Sequence, residues 1–207
     1  MDNDNQAIVK RREGRFILVI MALLFSAPFL GSWIILNYTD IIDRMSVRHG
    51  DLYQPLRQIA DVPVYDPRLG DAAEQSLHGK WILLYIAPGP CDEACYESLY
   101  RMRQIRLAAG RYTHNLERVW MTDAGNQADL AELLADYDGT LVLDMSQNAA
   151  AIQPEDFRYD DAANVLEDDS LYLIDPLGNL VLRYRVDAEP LKIIKDLNKL
   201  LKASRIG

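Results

Sequence analysis

Residues Gly79 to Arg106, GKWILLYIAPGPCDEACYESLYRMRQIR, constrain the fold more than any other stretch of the chain. Trp81 to Ala87 is an almost unbroken apolar run, the length of a strand buried on both faces. Pro88-Gly89-Pro90 excludes regular structure and forces a turn. Cys91 and Cys95 follow at i, i+4, and the chain has no other cysteine. From Glu93 onward, Leu99, Met102, Ile105 and Leu107 recur at helical spacing, with Arg101, Arg103 and Arg106 between them. The stretch therefore predicts a buried strand, a proline turn and two cysteines on the first turn of a helix. A thiol there feels the positive end of the helix macrodipole, which favours thiolate. Asp92 and Glu93 flank Cys91 and oppose that effect. Cys91 is expected to be the more exposed, attacking sulfur, and Cys95 the resolving one.

Upstream, Phe16 to Leu36 runs for 21 residues without a charge. At about 1.5 Å per residue this is enough to cross roughly 30 Å of hydrocarbon. Pro28 and Gly31 interrupt it, which membrane helices tolerate better than soluble ones. The run is too long for the apolar core of a cleaved signal, and no small-x-small site follows it. Lys10, Arg11, Arg12 and Arg15 precede the span and keep the N-terminus in the cytoplasm. The rest then faces outward, into the periplasm of a Gram-negative cell, where paired cysteines can be oxidised. The expected division is a cytoplasmic N-terminus over 1–15, a transmembrane helix over 16–36, a part-helical juxtamembrane stalk over 37–60 and a globular domain over 61–207. Of 22 basic and 31 acidic residues, 18 and 28 lie beyond the span. So acidic a surface repels phosphate backbones and excludes nucleic acid as a partner.

The remaining elements fall in a regular order. Asp61 to Asp71 predicts a short strand and turn. Gly110 marks the end of the first helix. Arg118 to Met121 and Gly139 to Asp144 are strands, and Gln127 to Tyr137 between them is amphipathic and helical. Ser170 to Pro176 and Asn179 to Val186 flank Asp175-Pro176-Leu177-Gly178 as a hairpin. Pro190 starts a last helix whose apolar stripe is Leu191, Ile194, Leu197, Leu200 and Leu201. Strand-helix-strand-helix-strand followed by hairpin and helix defines an α/β sandwich of the thioredoxin type.

That order, with C-x-x-x-C after the first buried strand and Y-L-I-D-P-x-G in the hairpin, resembles the Sco family. Its members are membrane-anchored, thioredoxin-like copper chaperones and thiol reductases for cytochrome c oxidase. Gly79–Tyr85, Cys91–Cys95 and Arg103–Ala108 are also similar to small, Sco-like, cytochrome oxidase-associated membrane proteins of proteobacteria. The resemblance implies a single-pass inner-membrane protein whose partner is an oxidase subunit or another assembly factor. It departs from the family in two places. Tyr96, not proline, follows the second cysteine. Asp168-Asp169-Ser170 stands where Sco proteins carry the histidine that completes their copper site.

Two chemistries for Cys91 and Cys95 stay open at this point. They suit thiol–disulfide exchange, and as two thiolates they also suit Cu(I), which the acidic neighbours would attract. Met121 is the one candidate thioether near the turn, and core packing is its ordinary alternative. Asp168 and Asp169 are hard donors better matched to Cu(II), and a solvated loop is their ordinary alternative. His49, His78 and His114 are expected to be ordinary polar residues remote from the cysteines. Tyr96, Tyr100, Arg101 and Arg103 form a candidate docking face on the first helix. No phosphate loop, zinc spacing or Ser-His-Asp set is present. A reading of a different class is a membrane-tethered, non-catalytic assembly or interaction module with vestigial thiols.

Overall fold

The computed structural model describes residues 20–31, 33, 49–69, 74–123, 127–160 and 164–203. The chain divides into two compact units, residues 1–47 and 48–207. In the first, residues 20–31 and 33 are helical. This helix exposes Leu24, Phe25 and Phe29. The expected span over 16–36 includes residues outside the described set. Among the described residues no helix is long and apolar enough to cross a membrane.

The second unit is built on eight strands: β1 (Asp51–Gln58), β2 (Pro63–Val64), β3 (Gln75–Ser76), β4 (Trp81–Ile86), β5 (Leu116–Thr122), β6 (Thr140–Asp144), β7 (Leu171–Ile174) and β8 (Asn179–Tyr184). Six form one sheet in the order β1-β8-β7-β4-β5-β6, and β2 and β3 form a separate ribbon. β4, β5 and β6 are parallel, whereas β7, β8 and β1 are antiparallel to their neighbours. The helices are α1 (Glu93–Ala108), α2 (Gln127–Leu133) and α3 (Pro190–Ala203). The fold is thioredoxin-like, as the element order predicts. β1 was not foreseen: Asp51–Gln58, within the stretch over 37–60 expected to be a part-helical stalk, pairs with β8 as a strand. Pro55 sits in this edge strand, where one face of the backbone needs no ladder partner.

Period-two alternation divides β4 between two cores. Trp81, Leu83 and Tyr85 join Cys95, Leu99, Met102, Ile105, Trp120, Leu130, Ile193 and Leu197 under the three helices. Ile82, Leu84 and Ile86 join Val62, Met121, Phe157 and Val165 on the opposite face. That second face is covered by the β2–β3 ribbon, one helical turn at Met145–Asn148 and short 3-10 segments. Each Leu, Ile or Met fully buried this way contributes about 1.5–3 kcal/mol.

Two apolar stripes need correction. On α1 the buried positions are Cys95, Ser98, Leu99, Met102 and Ile105. Leu107, two residues past Ile105, turns to the far side and is 59 % exposed. On α3, Ile193, Asp196, Leu197 and Leu201 are buried, and Leu191 is outside. Asp196 is buried because it accepts the backbone N–H groups of His49 (2.7 Å) and Gly50 (3.3 Å).

Register decides which loops meet. Ile86 lies beside Met121 in β5, and Tyr85 lies beside Leu171 in β7. The proline turn, the end of β5 and residues 168–170 therefore share one end of the sheet. The Asp175–Gly178 turn lies at the other end, where Asp175 Oδ1 accepts the Leu177 and Asn179 N–H groups at 2.9 and 2.8 Å. Gly178 has φ +84°, and any Cβ there would meet the His78 ring.

Candidate functional site

Three contacts fix the turn between β4 and α1. The Ala87 N–H donates to the Met121 carbonyl at 3.1 Å, and Trp120 Nε1 donates to the Ala87 carbonyl at 3.3 Å. The Gly89 N–H, on a residue with φ +77°, turns toward the Asp123 carboxylate. Helix α1 then begins with Asp92 as N-cap, its carboxylate accepting the Cys95 N–H at 3.0 Å. Such a cap satisfies one of the free N–H groups of the first turn. Cys91 thus lies just before the cap, and only Cys95 is in the first turn. This corrects the placement of both cysteines inside the helix, since the prolines delay its start.

Cys91 and Cys95 are joined by a disulfide with a Cα–Cα distance of 5.2 Å. Cys95 is 2 % exposed and packs in the helical-face core, while Cys91 is half-buried at its edge. The sulfur within reach of a partner is therefore that of Cys91. Behind them, the Tyr85 hydroxyl donates to Asp169 Oδ1 at 2.9 Å. Burial and the Asp169 carboxylate push this phenol up, and the Ser98 hydroxyl beside it acts the other way. Tyr85 thus stays a neutral donor. Asp169 itself adopts φ +45°, a left-handed conformation that Asp tolerates better than most residues.

The carboxylate next to it has a different fate. Asp168 Oδ2 and Oδ1 receive Arg183 Nη2 at 2.6 and 2.7 Å, and Ser170 Oγ donates to Asp168 Oδ2 at 2.7 Å. Arg183 Nε donates to Ser170 Oγ at 3.1 Å, and its guanidinium lies 5.5 Å from the Tyr159 ring centroid. Burial works against the charge on Arg183, but Asp168 more than offsets it and holds the pKa above its usual value. Asp168 is consumed by this ion pair and is not a free metal donor. Arg183 was missed in the sequence; its signal is the alternation Leu182-Arg183-Tyr184 in a strand buried on both faces.

The other candidate ligands separate. Met121 is fully buried in the core of the opposite face, which removes it as a thioether donor to Cys91 and Cys95. His78 is at the start of β4, its Nε2 3.1 Å from the Ile59 carbonyl, and His114 is in the turn before β5. Both lie at the end of the sheet away from the cysteines. Among the described residues no group of three His, Cys, Asp or Glu side chains is placed to hold a metal ion. Among the described residues, the two cysteine sulfurs are the soft donors placed side by side.

The expected docking face also changes. Tyr96 and Tyr100 are 44 and 55 % exposed. Arg101 instead turns inward and donates to the carbonyls of Val186 (2.6 Å), Arg185 (3.0 Å) and Ala188 (2.9 Å). It clasps the β8–α3 loop to α1. Between them lies a groove of about 520 Å³ lined by Ala94, Ser98, Tyr100, Val186, Ala188 and Pro190 among others.

A cystine set between a central parallel strand and a helix N-terminus, with Cys91 half-buried and Cys95 in the core, thus stands in a thioredoxin-like fold. The sequence pattern of the family described as transmembrane-like, thioredoxin-like, C-terminal domain matches residues 81–204. The chain belongs to that family. Among solved structures it is similar to copper-bound yeast Sco1, with 19 % identity, 72 % of this chain and 96 % of that one covered, and a TM-score of 0.55. It is also similar to copper-bound ScoI of Bradyrhizobium japonicum, with 16 % identity, coverage of 68 % and 98 %, and a TM-score of 0.51. A third similar structure is BsSco, a member of the Sco family of cytochrome c oxidase assembly proteins in which a disulfide switch was identified. It is 15 % identical over 74 % of this chain and 97 % of its own, with a TM-score of 0.51. A sequence search of curated proteins gave no match.

Proposed function

We propose that this chain is a membrane-anchored, periplasm-facing assembly factor of cytochrome c oxidase, acting by thiol–disulfide exchange through Cys91 and Cys95. The observation that carries the reading is the cystine itself, with one sulfur at the surface and the other in the core. The charge-free run over 16–36 supports the anchor, and the four basic residues before it support the orientation. The Sco-like fold supports the oxidase as destination.

In the exchange, a partner thiolate attacks Cys91 Sγ and displaces Cys95 as thiolate, leaving a mixed disulfide. A second partner thiolate then attacks the partner's own sulfur in that bond and releases Cys91. Two electrons have passed from the partner's dithiol to this pair, and the reverse sequence passes them back. The macrodipole of α1 stabilises the departing Cys95 thiolate, whose N–H is already fixed by Asp92. Trapping tests the roles. In the full chain, Cys95→Ser should accumulate a mixed disulfide through Cys91 in cells, and Cys91→Ser should accumulate none. Both variants should lower oxidase activity; full activity in the double Cys→Ser variant would instead favour the non-catalytic module.

A second reading, transient carriage of Cu(I) as cargo, is favoured by the reduced pair being two adjacent thiolates. On this reading the third ligand comes from the partner, because Asp168 is bound to Arg183 and Met121 lies across the sheet. Cu(I) titration of the reduced full chain against a competing chelator separates the two. Tight stoichiometric binding by the isolated chain would require a donor other than these.

A further inference from the structure

The groove between α1 and the β8–α3 loop adjoins the cystine. Helix α1 begins and β8 ends at the same end of the sheet, beside the start of β7. The α1 wall of the groove includes Ala94 and Ser98, which flank Cys95 in sequence. On the opposite wall, Ala188 packs at the edge of the same core as Cys91. Tyr100 and Val186, both 55 % exposed, stand on the two walls and leave apolar surface open to solvent. Single exposed apolar residues are ordinary, but two that line one concave site can enclose a third.

The lining is anionic, with Glu97, Asp187 and Glu189 against Arg101. Arg101 directs both Nη groups to the carbonyls of Val186, Arg185 and Ala188, so its charge is turned into the wall. Asp187 and Glu189 meet Arg185 at 3.5 Å and Lys192 at 2.9 Å in exposed pairs. Glu97 is exposed and has no ion pair among the described residues. From Cys91 to Tyr100 the chain carries Asp92, Glu93 and Glu97 and no cation. The helix start accounts for the first two, since Asp92 caps α1 and both complement its positive end. That effect fades beyond the first turn, so it gives Glu97 no role.

We propose that this groove receives the segment next to the cysteine of a partner protein, and selects one in which a lysine or arginine adjoins an apolar residue. This selection presupposes the thiol–disulfide exchange proposed above. A partner whose thiolate reaches Cys91 brings the residues beside its cysteine, about 3.3 Å apart when extended, within reach of the groove. The apolar residue packs between Tyr100 and Val186, and the cation meets Glu97. The partner's sulfur bonds to Cys91 Sγ, and the electron pair of the old S–S bond leaves on Cys95. A rim charge of this kind acts mainly on the rate of encounter and on its salt dependence.

The test follows opening of the cystine in the full chain, held in an uncharged detergent at low ionic strength. Its readout is the rate at which iodoacetamide traps the released Cys95. Two synthetic single-cysteine peptides are compared, identical except that Leu-Lys or Leu-Glu follows the cysteine at the same spacing, with rates taken per thiolate. The lysine peptide should open the cystine about fivefold faster, on the order of one ion pair in water. That ratio should fall toward unity in Glu97→Gln and in about 1 M salt. It should persist in Asp129→Asn, which removes the same charge from α2, outside the groove. Equal rates for the two peptides, or a preference that Glu97→Gln leaves intact, would overturn the groove. Exchange itself would still stand if 2-mercaptoethanol opened the cystine. A cystine that neither peptide nor 2-mercaptoethanol opens would overturn both.

Discussion

Arg183 and Arg118 are both buried on strands of one sheet, yet they are held in opposite ways. Arg183 has a carboxylate at 2.6 Å, a hydroxyl at 3.1 Å and an aromatic face, and its pKa is raised. Arg118 has one backbone carbonyl and, among the described residues, two nitrogens without acceptors, and burial together with the Arg106 and Arg103 charges lowers its pKa against the pull of Asp138 and Glu117. A buried charge held by a carboxylate acts as a structural rivet, whereas one left partly unpaired is a cost that the rest of the fold must carry. The contrast also bears on the cysteines. The rivet occupies Asp168, at the position where the resemblance to Sco proteins implies a copper ligand, so among the described residues the donors placed together there are the two sulfurs.

The contrast breaks most visibly at Asp168. Asp168→Asn keeps the shape but leaves Arg183 charged and uncompensated, and removing one partner of a buried pair costs about 3–5 kcal/mol. Urea unfolding of the full chain should show a loss of that size. Adding Arg183→Met to Asp168→Asn should restore most of it. A single-variant loss below about 1 kcal/mol would mean that the pair behaves as a surface bridge.

At Arg118 the sign should reverse. Replacing an incompletely compensated buried ion with an apolar side chain of similar length is often neutral, or stabilising by about 1–4 kcal/mol. Arg118→Met should therefore unfold no earlier than the parent in urea.

The legible and illegible parts of the sequence divide along the same physical line. Period and punctuation gave β4, the proline turn, the hairpin and the two helices α1 and α3, because these elements bury apolar side chains at their own repeat. The cysteine pair was legible in outline only, since the strand and proline turn set it at the entrance to α1 but Cys91 lies before the N-cap and not on the first turn. Long-range pairing was not. Asp51–Gln58 has no clean alternation, and it becomes a strand because β8 offers it an edge. Asp168 looked like a solvated acid because its partner lies fifteen residues on, across a hairpin. Leu107 and Leu191 show the converse error, in which an apolar letter near a stripe was counted into it although its angle on the helix points to water.

The finest test of the rivet is Ser170. Its hydroxyl accepts from Arg183 Nε at 3.1 Å and donates to Asp168 Oδ2 at 2.7 Å, so it orients both ions without carrying charge. Ser170→Ala leaves the pair itself in place and removes one neutral bridging group. It should cost about 1–2 kcal/mol, more than one ordinary hydrogen bond because Arg183 Nε loses its acceptor inside the protein. In a double-mutant cycle with Asp168→Asn the two losses should fall short of additive, because both act on one network. Full additivity would mean that Ser170 acts on the backbone before β7 and not on the ion pair. The arrangement at Arg183 would then be a two-body contact, and the difference from Arg118 would rest on Asp168 alone.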